Sequence, residues 1–229
     1  MSESTLEKRL CIIPARGGSK RIPRKNIKDF LGKPIIAYSI EAALNSGLFD
    51  EVMVSTDDEE IADVAKKYGA TVPFLRSCQT SDDYSTLADV VDEVLDRYAL
   101  PSEYLYGCCI LPTAPLIQQK KLIEGFNKLI SGPFDSVRPI VEYPYPIQRA
   151  LLLDKHGFIT WQNEGYALTR SQDLVPTFYD AGQFYWFKLA YRLRSVKKGA
   201  VVISPQEAQD IDNMDDWKIA ELKYQMIFE

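Results

Sequence analysis

The chain has 229 residues, 46% of them hydrophobic and 26% charged, with a formal net charge of −5. That is the make-up of a globular protein with a substantial core, not of a disordered or fibrous chain. The acidic balance argues against electrostatic binding to bulk nucleic acid, which needs a basic surface, and no apolar run approaches the roughly 18 residues of a bilayer crossing.

The opening Met1–Arg9 lacks the apolar stretch of a secretory leader, so a cytoplasmic protein is expected. Arg9 to Pro14 then predicts a buried strand that enters the loop Ala15-Arg16-Gly17-Gly18. From Lys33 to Ser46, Ile36, Ile40, Ala43 and Leu44 recur at helical spacing, and Gly47 stops the pattern. Glu51–Ser55 predicts a second strand. Thr56 or Asp57 is placed to cap a helix that runs to Tyr68 and ends at Gly69. Thr71–Leu75 reads as a third short strand. Tyr84–Ala99 reads as a helix with Leu87, Val90, Val91, Val94 and Leu95 on one side. Tyr104–Leu111 is apolar throughout, as a strand covered on both faces should be. A helix over Leu116–Ile130 and a strand over Ser136–Val141 follow.

Residues 142–182, rich in Tyr, Pro, Gln and Arg, interrupt this rhythm. It resumes with a strand at Gln183–Phe187, a helix at Lys188–Arg194, a strand at Ala200–Ile203 and a last helix at Met214–Phe228. Repeated strand-helix-strand units predict an α/β fold, doubly wound, with a mainly parallel sheet and helices on both faces. The expected organisation is one domain over 1–229 with 142–182 as an excursion. The cysteines Cys11, Cys78, Cys108 and Cys109 form no C-x-x-C pair, and His156 is the only histidine. That speaks against a zinc site and against Ser-His-Asp or Cys-His chemistry.

The loop after the first strand is chemically distinct. Between Arg16 and Lys33 stand Arg16, Lys20, Arg21, Arg24, Lys25, Lys28 and Lys33, against a single acid, Asp29. Ligands of open parallel sheets bind beyond the carboxyl ends of the strands, where this loop lies. Gly17 and Gly18 let the backbone approach a phosphate, and the cations would neutralise a polyphosphate. The spacing is neither a Walker A loop nor G-x-G-x-x-G. Some of Arg21, Arg24 and Lys28 are expected only to face solvent. Near the other end, Asp210 and Asp212 lie two apart, so an extended segment would project both carboxylates to one side. That arrangement suits Mg²⁺, although either acid could instead cap the terminal helix.

The run Ile13-Pro14-Ala15-Arg16-Gly17-Gly18-Ser19-Lys20-Arg21-Ile22-Pro23-Arg24-Lys25-Asn26 resembles the opening signature of the acylneuraminate cytidylyltransferases. Ser55-Thr56-Asp57, Ser81-Asp82, Pro112-Thr113-Ala114-Pro115 and Gln209-Asp210-Ile211-Asp212 continue the likeness along nearly the whole chain. Asp180-Ala181-Gly182-Gln183-Phe184-Tyr185-Trp186 and Cys108-Cys109-Ile110 resemble the pseudaminic acid branch of that family. Sialic acid members commonly carry Gln before the Pro-Thr; this chain has Leu111.

The resemblance implies a fold of nucleotide-diphospho-sugar transferase type and transfer of CMP from CTP to a nonulosonic acid, with pyrophosphate released. It implies that Ala15, Arg16, Gly17, Gly18, Ser19, Lys20, Lys25 and Asn26 form the CTP-binding loop. Arg16 and Lys20 are the candidate catalytic residues, set to meet charge on the phosphates. Arg76 and Thr86 would hold cytosine; Pro112, Thr113 and Ala114 would line the base or ribose pocket; Asp210 and Asp212 would hold Mg²⁺. Arg170, Gln172, Tyr179, Asp180 and Gln183 are the sugar-side candidates, with Arg138 and Arg149 as further cations for the sugar carboxylate. Similar enzymes dimerise through the segment that corresponds to 142–182, so a homodimer is expected, and the aromatic Tyr143, Tyr145, Phe158 and Tyr166 suit an interface. The competing expectations are sialic acid, legionaminic acid or keto-deoxyoctulosonate as acceptor, or a non-catalytic nucleotide sensor on the same fold.

Overall fold

The computed structural model describes residues 7–228, so the expectation drawn from the polar opening Met1–Arg9 falls largely outside the described residues. In chain order the elements begin with β1 (Lys8–Pro14), β2 (Asp29–Phe30), β3 (Lys33–Pro34), α1 (Ile35–Asn45), β4 (Glu51–Ser55) and α2 (Glu59–Lys67). They continue with α3 (Leu87–Arg97), β5 (Tyr104–Ile110), α4 (Gln119–Ser131) and β6 (Ser136–Glu142). The excursion holds β7 (Leu151–Leu153) and β8 (Ile159–Trp161), and β9 (Phe178–Asp180) leads out of it. β10 (Phe184–Lys188), β11 (Lys198–Ile203) and α5 (Met214–Phe228) complete the chain.

The central sheet has the order β11-β6-β10-β5-β1-β4, and β9 pairs with β6 off that path. β1 pairs in parallel with β4 and β5, and β6 pairs in parallel with β11. β10 runs against both β5 and β6, and β9 runs against β6. β4, β1, β5, β6 and β11 therefore all point one way. The reversal of β10 has a simple origin. No crossover helix follows β6, so the chain returns from the rim where β6 ended and enters the sheet downwards.

Alternation along the strands divides the core. Cys11, Ile13, Cys108, Ile110, Phe184 and Trp186 face α1, α2 and α4, meeting Ile40, Ile61 and Phe126 among others. Leu10, Ile12, Cys109, Tyr185 and Phe187 face α3 through Val91 and Val94. Period-two strands buried on both sides explain the uninterrupted apolar runs of β1 and β5. A third cluster joins Ile22 and Phe30 to Ile35 and Tyr38 of α1 and to Trp217 and Ala220 of α5. It fastens the far end of the basic loop to the last helix.

Three expectations are corrected. Thr71–Leu75 is not a strand: only Thr71 bridges to Met53, because Pro73 offers no N–H to extend the ladder. Lys188–Arg194 is not a helix. Lys188 still belongs to β10, and Arg192 turns left-handed at φ 51°. That turn delivers Arg192 and Arg194 to Asp89, Asp92 and Asp96 on α3. Finally, α2 is capped by Asp58, whose carboxylate accepts from the Ile61 N–H at 3.0 Å, and not by Thr56 or Asp57.

Candidate active site

The carboxyl ends of β1, β4, β5 and β11 share one rim of the sheet, and the basic loop folds across it. A cleft of about 400 Å³ opens there, lined by Arg16, Ser19, Lys20, Lys25 and Asn26, by Asp212 near the other end of the chain, and by Pro112 and Thr113 after β5. A smaller cavity of about 220 Å³ adjoins it, lined by Arg76, Thr86 and the start of α3. Pro14, Arg16 and Asp83 border both.

The loop holds its shape by bonds to segments distant in sequence. The Asn26 side chain is buried and donates to the Arg16 carbonyl at 2.9 Å. The Gly17 N–H donates to Asp57 at 3.0 Å. Arg24, left-handed at φ 54°, grips Asp58 with both guanidinium nitrogens and also reaches Glu60. The Arg24 guanidinium in turn holds the Asp58 carboxyl below its ordinary value. Gly17 is required by space: a Cβ there would stand 2.6 Å from Asp58 Oδ2. Gly18 faces open volume, with nothing within 4 Å of such a Cβ.

The Lys25 ammonium donates to the Ile211 carbonyl at 2.8 Å, which ties the basic loop to the acidic segment. Burial pushes this ammonium below its ordinary value, and the charges of Asp212 and Asp210 act against that. Lys20 is by contrast largely exposed and pairs with Asp83. Arg16 donates to the Asp83 carboxylate at 2.8 Å and to the Asp82 carbonyl at 2.7 Å. Lys20 and Arg16 together hold the Asp83 carboxyl below its ordinary value. An acid thus sits between the two cations best placed for a phosphate.

Arg76 is 7% exposed, and its Nε and Nη2 have no hydrogen-bond partner. Asp57 approaches Nη2 only to 3.7 Å. Burial pushes the guanidinium below its ordinary value. Unpaired buried donors are costly, so they mark a place where a ligand acceptor belongs. Thr86 lines the same cavity but spends its hydroxyl on Asp89, with which it forms the capping box of α3.

Asp210 and Asp212 end the segment after β11. Asn213 caps α5, accepting from the N–H groups of Asp215 and Asp216 at 2.8 and 3.0 Å, so neither aspartate is spent on the cap. Asp212 pairs with Arg21 at 2.7 Å. Among the described residues no group of three or more His, Cys, Asp or Glu side chains could hold a metal on its own. Asp212 lines the cleft and Asp210 stands two residues before it; such a pair fits Mg²⁺, which takes few carboxylates and completes its shell with phosphate and water oxygens.

The other candidates lie apart. Ala15 and Ala114 are buried beneath the cleft. The buried Gln183 amide donates to the Glu207 carbonyl. Tyr179 packs against Tyr143 with ring centroids 5.0 Å apart. Arg170 pairs with Asp173 within its own turn at 2.8 Å, and Gln172 lines a separate groove beside β6. Arg149 stacks on Trp161 of β8 at 5.7 Å. Sequence reasoning missed Asp57, Asp58 and Asp83 as partners of the loop; of Arg21, Arg24 and Lys28, some of which were expected only to face solvent, Arg21 pairs with Asp212 and Arg24 with Asp58 and Glu60. The acids after β4 and the Asp82-Asp83 doublet were the available signals.

The fold and the cleft define an α/β protein with a basic loop folded across the sheet rim. The cytidylyltransferase family model matches residues 10–225. Pseudaminic acid cytidylyltransferase of Campylobacter jejuni (strain 81-176) is 43% identical over 227 residues, covering 96% of this chain and 97% of its own. CMP-N,N'-diacetyllegionaminic acid synthase of Legionella pneumophila is 45% identical over 134 residues, covering 57% of this chain and 58% of its own. Among solved structures, a CMP:2-keto-3-deoxy-manno-octonic acid synthetase complexed with CTP has the same fold, with a TM-score of 0.67 at 16% identity over 96% of this chain and 98% of that one. The chain belongs to the cytidylyltransferase family. It is a CTP-dependent nucleotidyltransferase. No helix among the described residues is long and apolar enough to cross a membrane.

Proposed function

We propose that this protein transfers CMP from CTP to pseudaminic acid in the cytoplasm and releases pyrophosphate. The observation that carries the reaction type is the convergence of Arg16, Lys20 and Lys25 on one cleft that Asp212 also lines. Joining two anions requires that their charge be met, and three cations of different mobility do so. Lys25 is half-buried and fixed by the Ile211 carbonyl, so it marks a set position for a phosphate oxygen. Lys20 is exposed and paired only with Asp83, a partner it can exchange for the pyrophosphate as it leaves. The Gly17-Gly18 backbone admits the triphosphate closely. The unpaired donors of Arg76 suit a cytosine acceptor in the adjoining cavity.

Asp210 and Asp212 would hold Mg²⁺, which when bound supplies charge neutralisation and orientation to the triphosphate. The sugar's anomeric hydroxyl attacks the α-phosphorus and gives up its proton to solvent, the P–O bond to the β-phosphate breaks, and the pair of electrons leaves with pyrophosphate. The choice of acceptor rests on the full-length likeness to the Campylobacter enzyme and on Leu111 before the Pro-Thr. A homodimer joined through 142–182 completes the reading. Its support is the β7–β8 hairpin, which exposes Leu151, Leu152, Leu153, Phe158 and Ile159 together. Asp212→Ala tests the metal pair: CTP should still bind in a titration, while pyrophosphate release is abolished. Undiminished turnover would sink that assignment.

A further inference from the structure

The sugar acid brings a carboxylate, and the cations of the nucleotide cleft are committed to phosphates. The carboxylate needs its own partner. Three arginines lie on the sugar side of the chain, and each has a neighbour: Arg170 pairs with Asp173, Arg149 stacks on Trp161 beside Ser171, and Arg138 pairs with Asp180. Arg138 alone stands on the central sheet, in β6.

Its setting is built. Arg138 Nη1 donates to Asp180 Oδ2 at 2.8 Å, and its guanidinium lies over the Tyr185 ring, 4.8 Å from the centroid. Asp180 is itself held by three donors, because its Oδ1 also accepts from the Tyr185 hydroxyl and the Gly182 N–H, each at 3.0 Å. With its oxygens so occupied, Asp180 is a holder of Arg138 rather than a reader of sugar. One guanidinium nitrogen is used in this pair, so most of the Arg138 fork stays available for a planar, bidentate carboxylate.

The location is also suitable. Tyr185 pairs with Cys109, and Cys109 pairs with Ile12, in one row across β10, β5 and β1. All three side chains point to the α3 face. On that face the start of α3 closes the cavity that holds Arg76. Pro14, two residues beyond Ile12, borders both cavities. β6 is three strands from β1, about 14 Å at ordinary strand spacing. A sugar acid and the extended arm of an arginine together fill that gap.

We infer that Arg138, positioned by Asp180 and Tyr185, is the guanidinium that receives the carboxylate of the sugar acid. This inference rests on the proposed cytidylyl transfer to such an acid. Arg138→Met should raise the KM for the sugar acid about 10- to 100-fold, the range for losing a charge-assisted pair, and leave the KM for CTP within about twofold. Arg138→Lys should recover part of that loss. Asp180→Asn should raise the sugar KM in the same direction without moving that for CTP.

The decisive comparison pairs Arg138→Met with an acceptor whose carboxylate is replaced by a carboxamide. Wild-type protein should lose affinity for the amide, and the variant should lose little more, because the two changes remove one interaction. Independent, additive losses would overturn the assignment, as would an unchanged sugar KM in Arg138→Met. Wild-type protein that releases no pyrophosphate with any nonulosonic acid would overturn the parent reading and this one with it. Turnover by the wild type with an unaffected variant overturns this one alone.

Discussion

Gly17→Ala should damage both the fold and the nucleotide site, and the structure sets the size of the effect. The added methyl carbon would stand 2.6 Å from Asp58 Oδ2 and 3.1 Å from Asp58 Cβ. Asp58 cannot turn away freely. Its carboxylate caps α2 through the Ile61 N–H at 3.0 Å and is gripped by Arg24. Giving up the cap costs about 1 kcal/mol. Weakening the Arg24 pair, or lifting the loop and losing the bond from Gly17 to Asp57, costs about 1–2 kcal/mol more. The sum of about 2–3 kcal/mol corresponds to a fall in Tm of about 4–12 °C for a chain of this length. Displacing the loop should also weaken CTP binding about tenfold or more. Gly18→Ala is the control: nothing lies within 4 Å of its Cβ, so the nucleotide-free Tm should move by no more than about 2 °C. Thermal unfolding of both variants, followed by CTP titration, reads the contrast. Equal Tm values for the two would refute the packing of Gly17 against a fixed Asp58.

Asp83→Asn should tighten CTP binding about 2- to 10-fold, since Arg16 and Lys20 no longer share their charge with an exposed acid; a calorimetric Kd that weakens instead would mean that Asp83 orders the cations for the nucleotide. Glu93 provides a pH test. Burial pushes its carboxyl up, but bonds from Thr80, Ser77 and the Arg97 guanidinium outweigh this and bring it from 4.5 to about 2. The folded value is depressed, so its stabilisation of roughly 3 kcal/mol is present above about pH 4.5 and is lost as pH falls towards 2. Glu93→Gln should therefore lower the Tm at pH 7 and flatten its decline between about pH 5 and 2. Parallel Tm curves for variant and wild type would contradict that balance.

The sequence made the alternation of β1, β4, β5 and β6 with their helices legible, because each strand is a short apolar run and each helix an amphipathic one. It did not make direction legible. Phe184–Lys188 is equally apolar in either orientation, and only the return of the chain from the excursion reverses it. Local composition misled at Thr71–Leu75, where Pro73 ends pairing, and at Lys188–Arg194, where arginines bent towards α3 mimic a helical stretch. At the site, the basic loop was readable because cations cluster in sequence. Its acidic partners were not, because Asp58 and Asp83 reach it from 34 and 63 residues or more away. Arg24 reads as a solvated charge until the β4–α2 turn is placed beside it. Arg138 and Asp180 are likewise brought together only by the antiparallel pairing of β6 with β9.

The most direct test is pyrophosphate release from CTP with Mg²⁺, comparing pseudaminic acid with N-acetylneuraminic acid as acceptor under identical conditions. Release with pseudaminic acid, and little or none with N-acetylneuraminic acid, is the predicted result. Equal or preferred release with N-acetylneuraminic acid would contradict the acceptor reading, and release with neither while CTP binds would contradict transfer to these acids altogether.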